Sequence, residues 1–133
     1  MRDVAAAVGA LLDGDPNLLW FDGQVGDTAG RPYVVFYLTT PSPRGERLSG
    51  DAPLGLYSLS TLYVGSKPNE CRWVAERVHA ALDGKRLTVP ARTTTPLALG
   101  TSAQIRPDDG INPPAYVGTD VWRFTITRGA PDA

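Results

Sequence analysis

Residues 56–84, LYSLSTLYVGSKPNECRWVAERVHAALDG, hold two hydrophobic periods that meet at Gly65. Before the glycine the chain alternates, with Tyr57, Leu59, Thr61 and Tyr63 on one side and Leu56, Ser58, Ser60, Leu62 and Val64 on the other. That is a strand, and its Tyr57 side is the apolar one. After the glycine Cys71, Val74, Ala75, Val78, Ala81 and Leu82 recur at three- and four-residue steps, the stripe of a helix. Ser66 is placed as an N-cap, Pro68 suits the first turn where its missing N–H costs nothing, and Gly84 fits the left-handed position that ends a helix. A single amphipathic helix is marginal in water, so the stripe requires a sheet beneath it. The remaining segments supply that sheet.

The chain has 133 residues, enough for one real core but not two. Residues 1–128 therefore read as one α+β domain and residues 129–133 as a flexible tail. With 42% apolar and 20% charged residues the composition is that of an ordinary soluble protein. With a formal net charge of −1, nothing argues for the basic surface usual for nucleic-acid or anionic-membrane binding, and little self-repulsion opposes association. One cysteine, Cys71, rules out an internal disulfide and fits a reducing compartment. No run reaches the roughly 18 apolar residues of a membrane span, and the N-terminus has no signal-peptide pattern. The sequence predicts assembly in cytoplasm.

Toward the N-terminus, Val4, Ala7, Val8, Leu11 and Leu12 have helical spacing over residues 3–13, with Gly14 placed to end the helix. Residues 18–21 lead into a Gly/Asp-rich stretch, 22–30, read as a loop or hairpin turn. PYVVFYLTT, from Pro32, is aromatic and β-branched on both faces and so predicts a central strand. Residues 41–54, PSPRGERLSGDAPL, are too rich in Pro and Gly for regular structure and read as a long projecting hairpin loop. Beyond the helix, 86–89 begins a strand that Pro90 interrupts, the chain then runs irregularly to Gly100, and 103–106 forms a short strand. Residues 107–118 read as a second turn-rich stretch. In 120–128, DVWRFTITR, Trp122, Phe124 and Ile126 oppose Val121, Arg123, Thr125 and Thr127, a half-buried closing strand. The expected fold is α+β, an antiparallel or mixed sheet with both helices on one face and long projecting loops.

Catalytic groups are sparse. His79 and Cys71 share one helix eight residues apart, roughly 12 Å of rise, too far for a nucleophile–base pair, and Cys71 lies on the core stripe. No second Cys or His completes a zinc set. Asp108 and Asp109 beside Gly110 lack the further acidic positions of a calcium loop and read as a solvated turn. No phosphate-binding glycine pattern occurs. Trp20, Trp73 and Trp122 lack the interleaved basic residues of a base-stacking groove, so Trp122 reads as core and Trp73 as a partly buried flank. The residues predict no enzyme, cofactor or metal, and instead a compact body whose Pro/Gly loops dock to other proteins.

The order and spacing of RPYVVFYLTT, YSLSTLYVGSKPNECRWVAERVHAALDGKRL and DVWRFTITRG resemble the tail terminator and tail-completion proteins of long-tailed bacteriophages, over nearly the whole chain. The matching features are 32–35, 57–64, 80–84 and 121–126. The resemblance implies a ring, hexameric in that family, on the head-proximal end of the tail tube. It halts tube polymerisation and presents a surface to the neck. The implied partners are further copies of the chain, the tail tube protein and a head-closure or neck protein, with the virion as location. Residues 41–54 and 90–118 depart from the family pattern in length. Charged loop residues give the candidate contacts: Arg44, Glu46, Arg47 and Asp51 in the first loop, and Arg106, Asp108 and Asp109 in the second. The alternatives are another neck protein, such as a head-closure or head–tail adaptor ring, and a small-molecule-binding α+β domain with a pocket near Trp73 or Trp122.

Overall fold

The strand–glycine–helix unit forms as its two periods predict. The computed structural model describes residues 2–25, 30–39, 54–110 and 114–129. Its elements are α1 (Arg2–Leu12), β1 (Trp20–Asp22), β2 (Tyr33–Thr39), β3 (Gly55–Gly65), α2 (Pro68–Leu82), β4 (Arg92–Thr94), β5 (Ala98–Asp108) and β6 (Ala115–Arg128). They build an α+β fold with a mixed six-stranded sheet in the order β1-β2-β3-β6-β4, and β5 also pairs with β6. Only β1 against β2 is parallel, and the other pairings are antiparallel.

β3 lies between β2 and β6, with Leu59 opposite Leu38 on one side and Trp122 on the other. Tyr57, Leu59, Thr61 and Tyr63 are buried, as the alternation requires. On the same face Val34, Phe36, Trp122, Phe124 and Ile126 join Val4, Val8 and Leu12 of α1 and Cys71, Val74, Val78 and Leu82 of α2 in the main core. Both helices therefore cover one face of the sheet. Tyr57 and Phe124 stack at its centre, centroids 5.1 Å apart. The other face is not wholly polar: at one end Tyr33, Val64, Ala115 and Val117 form a second cluster against which Phe21, Val25 and Leu62 pack. This accounts for the apolar residues on both sides of β2.

The ends of the helices correct one expectation. The N-cap of α2 is Lys67 and not Ser66, and no side chain caps the helix; Pro68 stands in its first turn. Ser66 contributes its backbone N–H, which donates to Glu70 Oε1 at 2.6 Å. The far end follows the prediction, with Gly84 at φ +73°. Gly14, by contrast, is not among the residues of positive φ. The end of α1 is closed by main-chain bonds from Gly14 to Leu11 and Asp15 to Leu12, each 3.2 Å.

The strand assignments also shift. Because β1 and β2 are parallel, the segment between them is not a hairpin turn. Residues 86–89 form no strand; Leu87 and Val89 are buried, but their alternation reflects packing without a ladder partner. Pairing begins beyond Pro90 and Ala91, the latter at φ 60°, where β4 meets the end of β6. Residues 98–108 are one strand of 11 residues, not an irregular run and a short strand. Its register against β6 shifts between Leu99 and Thr101 and between Ala103 and Arg106. Such interruptions, with Gly100 and Pro107, hid the strand: proline is tolerated at an edge, and an edge strand need not alternate. β6 begins at Ala115, so the expected turn-rich stretch of 107–118 shortens to the link between Asp108 and Ala115.

Candidate assembly interface

Three of the residues expected to make contacts fall within the described chain. Arg106 and Asp108 lie on β5, opposite Val117 and Ala115, and not in a loop. Asp109 is in the turn that follows. Asp108 Oδ1 accepts the backbone N–H of Gly110 at 2.9 Å, so this carboxylate holds the turn as the solvated-turn reading requires. Arg106 and Asp109 are exposed. Arg44, Glu46, Arg47 and Asp51 lie outside the described residues.

The strand carrying Arg106 is the more informative feature. β5 pairs with β6 along one edge, and among the described residues no strand meets its other edge. Every side chain from Ala98 to Gln104 is exposed. A long edge of this kind presents a row of main-chain donors and acceptors that another strand can pair with. Nothing in the residue pattern of 98–108 announced this, because the strand buries neither face. Exposed apolar side chains occur on it and on strands farther along the sheet: Leu99 is 40% exposed, Tyr37 of β2 45% and Leu56 of β3 54%.

Beneath the middle of β5 lies a buried polar cluster that periodicity alone did not find. Thr61 and Asp120 face each other across β3 and β6, both on the core side of the sheet. Asp120 Oδ1 accepts from Ser102 Oγ at 2.5 Å. Asp120 Oδ2 is bonded by the Tyr63 hydroxyl and, at 2.6 Å, by His79 Nε2. An ionised carboxylate only accepts, so Nε2 carries the proton in this arrangement. Thr61 Oγ1 donates to Tyr63 Oη at 2.9 Å and accepts from Trp122 Nε1 at 3.1 Å. The His79 ring meets Trp122 edge-on, centroids 5.2 Å apart. Burial alone would push the Asp120 carboxyl up, but the bonds from Ser102, Tyr63 and His79 outweigh it and hold it below the ordinary carboxylate range. Burial, with the Asp120 carboxylate beside it, drives the Tyr63 phenol far above its usual range. Every buried side-chain N or O atom among the described residues has a partner.

This geometry does not activate a nucleophile. Ser102 and His79 each bond to Asp120, on different oxygens, so the histidine is not placed to take the serine proton. The cluster reaches α2, β3, β5 and β6 and ties them together. His79 is a boundary residue of α2, its side chain 40% exposed and its Nε2 satisfied by Asp120.

Cys71 is buried, its thiol bonded to the Tyr116 carbonyl at 3.1 Å, and burial raises its pKa. Trp122 is fully buried in the core, as expected. Trp73 is a partly buried flank with the Arg77 guanidinium 4.4 Å above its ring. A dent of about 380 Å³ lies beside it, lined by Pro32, Asn69, Glu70 and Trp73. Arg77 also pairs with Asp15 at 2.8 Å across the gap between the helices. No group of three or more His, Cys, Asp or Glu among the described residues is disposed to hold a metal ion. No helix among them is long and apolar enough to cross a membrane.

By sequence, no protein-family model and no curated protein matches the chain. By structure, it is similar to a chain in the virion of a native gene transfer agent particle. The TM-score is 0.67 and the identity 18%, over 94% of this chain and 95% of that one. The likeness is one of fold, and it extends over nearly the full length of both chains.

Proposed function

We propose that the protein is a structural component of a phage-like virion, the tail terminator. It forms a ring on the head-proximal end of the tail tube, stops addition of tube subunits and presents the surface on which the neck is joined. The observation that carries this reading is the fold shared, nearly end to end, with a chain of a gene transfer agent virion. The order of segments in the sequence supports it independently. The mechanism is stoichiometric and needs no cofactor: residues 1–128 act as one domain, assembled in the host cytoplasm and retained in the virion.

The edge of β5 is the surface through which copies associate. It meets a different surface of the next copy, and a heterologous contact of this kind closes into a ring when its rotation permits. About half of the residues of an edge strand turn their main-chain groups outward. Each such residue can exchange two bonds with a partner strand, so an 11-residue edge offers roughly ten; at about 0.5–1.5 kcal/mol net per bond their sum is comparable to the cost of association, about 4–15 kcal/mol. The end of the tube supplies the rest by holding subunits side by side at high effective concentration. The ring therefore forms on its template. The charged candidates Arg44, Glu46, Arg47, Asp51, Arg106, Asp108 and Asp109 set register at the contacts with copies, tube or neck, since exposed pairs contribute about 1 kcal/mol or less.

The test is to place lysines on the exposed strand. Thr101→Lys with Ala103→Lys puts two charges on one face of an edge, a natural means of blocking strand addition. Both positions are exposed, so stability should change by about 0.5 kcal/mol or less. The expected result is a folded protein by circular dichroism, and virion yields far below those of the wild type. Normal yields from the doubly substituted gene would remove β5 from the interface.

A further inference from the structure

We infer that Asp120 is a latch that fixes edge strand β5 in its register through Ser102, so that the edge is presented in a single geometry. This rests on the reading of β5 as the assembly edge. A strand usually finds its register by burying one face, and a slip of one residue would expose what should be buried. β5 has no such restraint across its middle, where Thr101, Ser102 and Ala103 are all exposed. These three residues stand opposite Val121, Asp120 and Thr119, and the register shifts both before and after them. Ile105, the partly buried apolar residue that packs against Gly118, lies in the second irregular interval and cannot hold the middle block.

Ser102 is the central residue of that block, and its hydroxyl lies 2.5 Å from Asp120 Oδ1. The carboxylate is itself immobilised. Tyr63 of β3 and His79 of α2 hold its second oxygen, and Tyr63 is steadied by Thr61, which Trp122 of β6 holds in turn. These are the titratable groups that contact Asp120 from β3 and α2; β5 contributes only the neutral serine. A slip of one residue in either direction would set Thr101 or Ala103 opposite Asp120 and turn Ser102 away from its acceptor. Leu97 and Ile105 anchor the chain on either side, and the cluster rewards one register of the block between the two shifts, which buries no apolar residue of its own.

Hydrogen exchange on the purified, unassembled protein tests this without invoking the ring. Ser102→Ala should lower protection of the amides of residues 98–108 about tenfold or more, with the amides of β3 unchanged. Asp120→Asn should act in the same direction, and Ser102→Thr, which keeps the hydroxyl, should restore protection. Wild-type protection of β5 in Ser102→Ala would overturn the latch, as would an equal loss in β3, because that is general destabilisation. If protection falls only in β5 while Ser102→Ala virions assemble normally, the latch stands and the assignment of β5 as the assembly edge fails.

Discussion

At the scale of single residues, the most consequential group is Asp120. Its side chain is buried and its folded-state pKa lies below the ordinary value of 3.8. A depressed carboxylate stabilises the fold above its unfolded pKa, and that contribution is lost as pH falls through the folded value. Wild-type stability should therefore decline below about pH 4 by more than that of Asp120→Asn. At neutral pH the substitution should cost about 1.5–3 kcal/mol, the scale of a hydrogen bond to a charged group. Urea unfolding of both proteins between pH 7 and pH 2 checks this, with the two curves expected to converge in acid. Parallel curves would mean that the Asp120 charge does not contribute. The cluster was only half legible in the sequence. Thr61 was visible as a polar residue on an apolar strand face, but its meeting with Asp120 follows from the β3–β6 register, and the approach of Ser102 from a bulged edge.

At the scale of elements, legibility followed burial. β3, α2 and the second half of β6 each bury one face, so their periods of 2 and 3.6 were plain in the residues. β5 has no buried side chain, and only its 103–106 segment read as a strand. Leu87 and Val89 erred in the opposite direction, since they are buried without strand pairing. The junction at Gly65 shows how local the strand-to-helix change is. A Cβ placed there would lie 2.6 Å from the Glu70 Cβ and 3.1 Å from the Cys71 nitrogen. The first turn of α2 thus packs directly on the end of β3, and no flexible side chain can move aside. Gly65→Ala should cost about 1–3 kcal/mol, the usual penalty of overpacking, measured as a lower urea midpoint with unchanged m-value. A neutral substitution would show that strand and helix can separate there at no cost.

For the whole molecule, the sheet divides the labour. One face is closed by α1 and α2 over a continuous core. Among the described residues the other face is covered at one end, by the second apolar cluster, while the edge beyond β6 is a long exposed strand. Stability resides in the helix-covered half, and association is assigned to the open edge. In the role proposed here, the subunit would be folded before assembly and the tube end would supply what an edge contact lacks. The order of segments made the α+β fold legible in the sequence, whereas the exposed strand edge was not, because edge exposure is a property of the assembled sheet.

If the protein ends tail growth as proposed, electron microscopy of lysates from a phage deleted for this gene shows it directly. Termination predicts tails of unregulated length beside full, tailless heads, restored to uniform length when the wild-type gene is supplied. Tails of normal length that fail to join heads would contradict termination and place the protein on the head side of the neck. Intact virions would contradict a virion role altogether.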